Sequence, residues 1–188
     1  MKLLFSLFFA AIAVTAARAE DGFHAYASST NLIEGGRVDL LVIVTSNQQA
    51  YLRSPKGWYH QVDESREKIT FQTTSGKSAL TVQFTTNSPG ALPPEKILKA
   101  RVLAEHPGSG ILQYSICPTS SGPGVFFDLI SIPAPRVILK MRHAYVALPG
   151  GEAEFVLSAN EDEFDKGRIV LMGMLNSFRA APAKLKER

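Results

Sequence analysis

Between Arg136 and Ala159 apolar and polar side chains alternate through two long runs, interrupted by Pro149-Gly150-Gly151. A period of two marks a β-strand with two unlike faces, and a short Pro/Gly break between two such runs makes a hairpin. In the first run Val137, Leu139, Met141, His143, Tyr145 and Ala147 share a face; in the second Ala153, Phe155, Leu157 and Ala159 do. A three-residue loop at 149–151 sets Ala147 opposite Ala153 and Tyr145 opposite Phe155, which puts both apolar sets on one face. Register is the sensitive quantity, because a slip of one residue sends every side chain of a strand to the other side of the sheet.

The same alternation recurs upstream. Ile69 and Phe71, then Leu80, Val82 and Phe84, flank the turn Thr74–Lys77; Leu112, Tyr114 and Ile116 form another half-buried strand, and Val125–Ile132 is apolar enough to be central. Leu40–Val44 is a continuous apolar run, either a buried strand or the centre of a short helix. Residues 20–36 are polar and read as a loosely held start. Leu92-Pro93-Pro94-Glu95 opens a helix carrying Ile97, Leu98, Val102 and Leu103, stopped by Pro107-Gly108. A second helix, with Phe164, Leu171, Leu175 and Phe178 on one stripe, follows two overlapping cap patterns at Ser158–Glu161 and Asn160–Glu163. Val146 and Leu148 lie on the second face of their strand, so each helix is expected to cover one face. The fold class is α+β: an antiparallel sheet of about six strands flanked by helices, an α/β/α sandwich.

The first 19 residues carry a different message. Lys2 precedes the apolar stretch Leu3–Ala17, which ends in Ala17-Arg18-Ala19, the three-part pattern of a cleavable secretory signal. The stretch is shorter than a membrane span requires, so export without stable membrane insertion is expected, to a periplasmic or extracellular location. Removing Lys2 and Arg18 leaves 18 Lys and Arg against 17 Asp and Glu, a net charge of +1. So weak a field gives no steering onto nucleic acid. Cys117 is the single cysteine, so no internal disulfide forms and the exported domain stands on its hydrophobic core. Cys117 itself reads as a small buried hydrophobe.

His24, His60, His106 and His143 are isolated in sequence, without metal-ligand spacing; His143 reads as a satisfied core or edge histidine. No GxSxG, GxGxxG or GK[ST] is present. Ser109 and Ser120-Ser121 sit in Gly/Ser turns. Glu152 and Glu154 lie on the polar side of their strand and read as solvated; Glu161–Glu163 and Asp165 read as helix-start acids. No catalytic residue, cofactor or metal ligand is assigned.

Four segments in order carry a resemblance: Ser54-Pro-Lys-Gly-Trp58 before the first hairpin, the Leu92-Pro93-Pro94-Glu95 helix start, the long hairpin Arg136–Ala159, and the closing Asn176-Ser-Phe-Arg179. Together, over residues 48–180, the chain resembles the PsbP-like fold family, which includes the extrinsic PsbP protein of photosystem II, a Ran-binding nuclear protein and small exported bacterial proteins. The resemblance implies a binding or assembly factor docking onto a larger complex, with no catalytic motif to carry over. The chain divides into a signal (1–19), an N-terminal segment (20–47), the PsbP-like domain (48–180) and a basic tail (181–188). A non-enzymatic module with a protein partner in the cell envelope is the favoured expectation. Its candidate partner-binding residues are Trp58, Tyr59 and His60 in a loop, and the basic stripe Arg136, Lys140 and Arg142. The alternatives are a small-ligand cavity lined by Met141, Tyr145, Phe155, Met172 and Met174, and an unrecognised hydrolase, which needs polar side chains converging in one cleft.

Overall fold

The computed structural model describes residues 22–31, 37–46, 48–86, 90–134 and 137–182. The signal segment, Arg136 and the basic tail beyond residue 182 lie outside the described residues. Eleven strands and two α-helices are present among those described. Four strands, β1 (His24–Asn31), β2 (Arg37–Val44), β3 (Gln48–Arg53) and β11 (Arg179–Pro182), form a small sheet in the order β1-β2-β3-β11. Seven form a large sheet in the order β4-β5-β6-β10-β9-β8-β7: β4 (Trp58–Asp63), β5 (Lys68–Thr73), β6 (Ser78–Thr86), β7 (Gly110–Thr119), β8 (Gly122–Ala134), β9 (Val137–Leu148) and β10 (Gly151–Asn160). All pairings are antiparallel.

The expected single sheet of about six strands is therefore two sheets. Residues 24–31 are a strand, paired with β2 along its whole length although its only large apolar side chain is the exposed Tyr26. Backbone pairing, not a buried face, holds β1, and that leaves no alternation to read. Leu40–Val44 resolves as strand β2, whose Leu41 and Ile43 are buried.

Two cores lie on opposite faces of the large sheet. One unites Leu41, Ile43 and Leu52 of the small sheet, Leu171 and Leu175 of α2 (Phe164–Ser177), and the inward faces of β5, β6, β9 and β10. The other holds Leu98 and Val102 of α1 (Glu95–Glu105) against Phe127, Leu129, Met141 and Tyr145. Each helix covers one face, as expected. Chain continuity makes α2 the hinge between the sheets, since β11 follows it directly and pairs with β3. Gly167 allows α2 to seat closely, because a Cβ there would stand 2.7 Å from Leu157 Cδ1. The cap patterns at Ser158–Glu163 do not cap α2. Ser158 and Asn160 remain in β10, paired with β6 and β9, and Glu163 at the N-cap makes no side-chain cap bond.

The central hairpin differs from its expected register by one residue. Gly151 pairs with Leu148, Ala153 with Val146, Glu154 with Tyr145 and Phe155 with Ala144. The loop is two residues, Pro149-Gly150, with Gly150 at φ +77°; proline followed by a left-handed glycine is what a type II turn uses. Gly151 belongs to β10, where a Cβ would stand 2.3 Å from the Thr85 carbonyl oxygen, so β6 and β10 meet there only through glycine. The Pro149 carbonyl also accepts a bond from Gln48 Nε2, tying the turn to the small sheet. The consequence is a change of face. Phe155, Leu157 and Ala159 join Ala144 and Val146 in the α2 core, and Glu152 and Glu154 turn toward α1 beside Tyr145 and His143.

Replacing Gly151 with alanine is expected to destabilise the protein by about 1–3 kcal/mol through backbone overpacking, read as a lowered midpoint in urea unfolding. An unchanged midpoint would contradict the close approach of β6 and β10.

Candidate functional site

Helix α1 starts where Pro94 offers its carbonyl to the N–H groups of Ile97 and Leu98, with Glu95 in the first turn at the positive end of the helix. Leu98 and Val102, four residues apart, are the side chains α1 buries, and each contributes about 1.5–3 kcal/mol. Arg101 and Glu105 stand on the adjacent rung, and His106 closes the helix as its C-cap, its N–H donating to the Val102 carbonyl at 3.1 Å. These three reach the part of the sheet where the hairpin register has placed Glu152, Glu154, His143 and Tyr145.

The contacts form a connected polar cluster. Arg101 forms an ion pair with Glu152, whose side chain is 3 % exposed, and its guanidinium lies 5.8 Å from the Tyr145 ring centroid. His143, 1 % exposed, contacts Glu154 Oε1 through Nδ1 at 2.7 Å. Its Nε2 is 3.0 Å from Nε2 of His106, with the rings edge to face. The Tyr145 hydroxyl is buried beside Glu154 without a hydrogen bond of ordinary geometry.

Charge in the cluster follows from these contacts. Burial pushes the Glu154 carboxyl up, but the His143 hydrogen bond and charge, with Tyr145 and Arg101, outweigh it and hold Glu154 below the usual carboxylate range. Glu154 is therefore an anion that accepts, so His143 Nδ1 donates this hydrogen bond and Nε2 is the ring nitrogen turned toward His106. Partial desolvation where Glu105 leans on the sheet, reinforced by the nearby Glu154, raises this otherwise exposed carboxyl. Burial and His143 lower His106, against the pull of Glu154. Burial, then Glu154, drives the Tyr145 phenol well above its ordinary range, so it stays protonated. The result is an anionic cluster with two imidazole nitrogens facing each other at the end of α1.

The partner-binding residues expected from sequence are dispersed. Trp58, Tyr59 and His60 are on strand β4 at one edge of the large sheet, not in a loop. Alternation splits them: Trp58 packs on the α2 core and His60 against Phe71, whereas Tyr59 points to the other face and donates to Gln72 Oε1. Arg136 lies outside the described residues. Lys140 pairs with Glu161 at 2.9 Å. Arg142 is buried, donating through Nε and Nη2 to the two carboxylate oxygens of Asp128 at 2.6 and 2.7 Å, with its guanidinium 3.8 Å from the Phe126 ring centroid. It is a core ion pair, so the basic stripe is not a continuous surface. The lining expected for a ligand cavity is also divided: Met141 and Tyr145 belong to the α1 core, Phe155, Met172 and Met174 to the α2 core. Ser120 and Ser121 lie in the β7–β8 turn, where their hydroxyls donate to the Asn176 and Phe178 carbonyls at the end of α2.

The site residues absent from the sequence expectation are Arg101, Glu105, His106, Glu152 and Glu154. The strand pattern puts Glu152 and Glu154 on a polar, solvated side, and the observed register turns that side toward α1. The Pro-Gly pair, taken as a complete two-residue turn, is the signal that locates them.

This architecture, two packed antiparallel sheets with a helix over each face of the larger one, is shared with solved proteins. No family model matches the sequence, and no curated protein does. Cyanobacterial PsbP (CyanoP) from Synechocystis sp. PCC 6803 aligns at TM-score 0.56 and 12% identity, over 95% of this chain and 99% of that one. The Ran-binding protein Mog1p of Saccharomyces cerevisiae aligns at TM-score 0.52 and 8% identity, over 83% and 96%. LpqN of Mycobacterium tuberculosis, involved in cell envelope biogenesis, aligns at TM-score 0.50 and 13% identity, over 85% and 92%. The chain has the PsbP-like fold.

Two measurements check the local chemistry. Arg142→Ala is expected to cost about 3–5 kcal/mol in denaturant unfolding, because Asp128 is left buried without a counter-charge; a loss below 1 kcal/mol would mean a solvated pair. Burial also raises the Cys117 thiol and leaves it 2 % exposed. Native protein is expected to resist maleimide at neutral pH, and urea-unfolded protein to label fully.

Proposed function

We propose that this chain is an exported, non-enzymatic binding module whose partner is a protein that supplies an extended apolar segment. The observation that carries the reading is the free edge of β7. This strand ends the large sheet and pairs only with β8 among the described residues. Leu112 and Ile116 on it are 62% and 71% exposed, and Tyr114 is 37% exposed. Folded proteins ordinarily blunt such an edge with charge, proline or a covering loop. In β7 the irregularity at Ile111/Gln113 and Pro118 lie toward the two ends, and the uncharged stretch between them, bearing large apolar side chains, is suited to strand addition, in which the backbone supplies affinity and alternate side chains supply selectivity.

Ile116 and Tyr114 also border a groove of about 610 Å³, walled by Leu92, Pro123, Val125 and Leu148. Its mostly apolar wall can receive a side chain of the added strand. Export rests on the signal pattern at residues 1–19; among the described residues no helix is long and apolar enough to cross a membrane. The likeness to a Ran-binding protein and to an envelope-biogenesis protein supports a binding role through the fold alone.

The test places a photocrosslinking residue at position 116 in the native envelope, with the exposed α2 position Ile169 as control. Crosslinking to one protein from position 116, absent from position 169 and lost on Leu112→Lys, is expected. Stability of Leu112→Lys should stay within about 0.5 kcal/mol of wild type. Equal crosslinking from both positions, or only to a second copy of the chain, would contradict a dedicated partner at this edge.

A further inference from the structure

We propose that Glu105, His106 and His143 form a binding site for a divalent transition ion of the zinc class, at the junction of α1 and β9. Their ligand atoms all lie within 4.8 Å of one another. Two imidazoles and a carboxylate are a zinc donor set, with a water completing a tetrahedron. Calcium and magnesium take oxygen donors, so the paired imidazoles select against them.

The geometry is close to that of a loaded site. Two nitrogens at roughly 2.0–2.1 Å from a tetrahedral zinc stand about 3.3 Å apart; the facing Nε2 atoms are 3.0 Å apart. His143 is held by β9 in the core, and His106, half-buried at the helix end, can supply the small separation needed. Glu154 completes the arrangement from behind. By accepting from His143 Nδ1 at 2.7 Å it fixes the ring so that Nε2 faces the site, as a carboxylate behind a ligating histidine does. Glu154 is a positioning residue, not a ligand. Charge agrees: Glu105 and Glu154 contribute two carboxylates, and Arg101 on the same helix is engaged by Glu152. The exposed Glu105 gives the ion a route from solvent.

The site is separate from the β7 edge and does not depend on the docking reading. It would fasten the C-terminal end of α1, a helix that buries only Leu98 and Val102 fully, to the large sheet.

Protein without a polyhistidine tag is stripped with EDTA and titrated with Zn²⁺ by calorimetry, with Co²⁺ as a visible-absorption probe in parallel. One ion per chain, a tetrahedral cobalt spectrum and a zinc-dependent rise in melting temperature are expected. His106→Gln, checked for folding by circular dichroism in EDTA, should lose saturable binding and the thermal shift. Glu105→Gln changes an exposed side chain and provides the same test if His106→Gln does not fold. Failure of wild-type protein to bind Zn²⁺ saturably overturns the site. So does undiminished binding in the folded variant, which would put the ion at other histidines such as His24 or His60.

Discussion

The pairing of Glu154 with Tyr145 across the β9–β10 hairpin decides what each face of the large sheet is made of. With a two-residue turn at Pro149-Gly150, the apolar residues of β10 meet α2 and the small sheet, and its two glutamates go under α1. Burying carboxylates is costly unless each finds a partner. The partners come from two elements: Arg101 from α1 for Glu152, and His143 from the neighbouring strand for Glu154. The cost of a wrong register is thus more than a misplaced phenylalanine. It would also separate two acids from the groups that make their burial tolerable.

The same logic explains why α1 sits where it does. Its apolar contact is small, two fully buried side chains on a patch of β8 and β9. A helix of eleven residues is marginal by itself in water and draws its stability from packing. The ion pair at Arg101 and the histidine contact at the C-cap extend the attachment along its C-terminal half. On the opposite face α2 is fixed far more heavily, being packed between the two sheets and continued directly into β11. The molecule therefore has one helix packed between two sheets and one held by a small apolar patch supplemented by polar contacts.

Much of the architecture was legible in the sequence. The period-two runs at Ile69–Phe84, Leu112–Ile116 and Val137–Ala159 are strands, both helices form near their expected bounds, and each covers one sheet face. The small sheet was not legible. Strand β1 offers the core only Ala25, and β11 is four residues following a helix that offers it Ala180; neither leaves a side-chain period long enough to read. The polar cluster was hidden for another reason: its residues lie on α1, β9 and β10, and no spacing along the chain brings His106 to His143. Arg142 looked like surface because charge is usually exposed, and only its direct cross-strand partner Asp128 permits its burial.

The account turns on the hydrogen bond between His143 and Glu154, which exists only in the two-residue register. Long-range ¹H–¹⁵N NMR of the histidine rings in metal-free protein at neutral pH reads it directly. A proton on His143 Nδ1, hydrogen-bonded and in slow exchange with water, is the predicted result. A proton on Nε2 instead, or a His143 ring exchanging freely with solvent, would contradict the register and the buried cluster built on it.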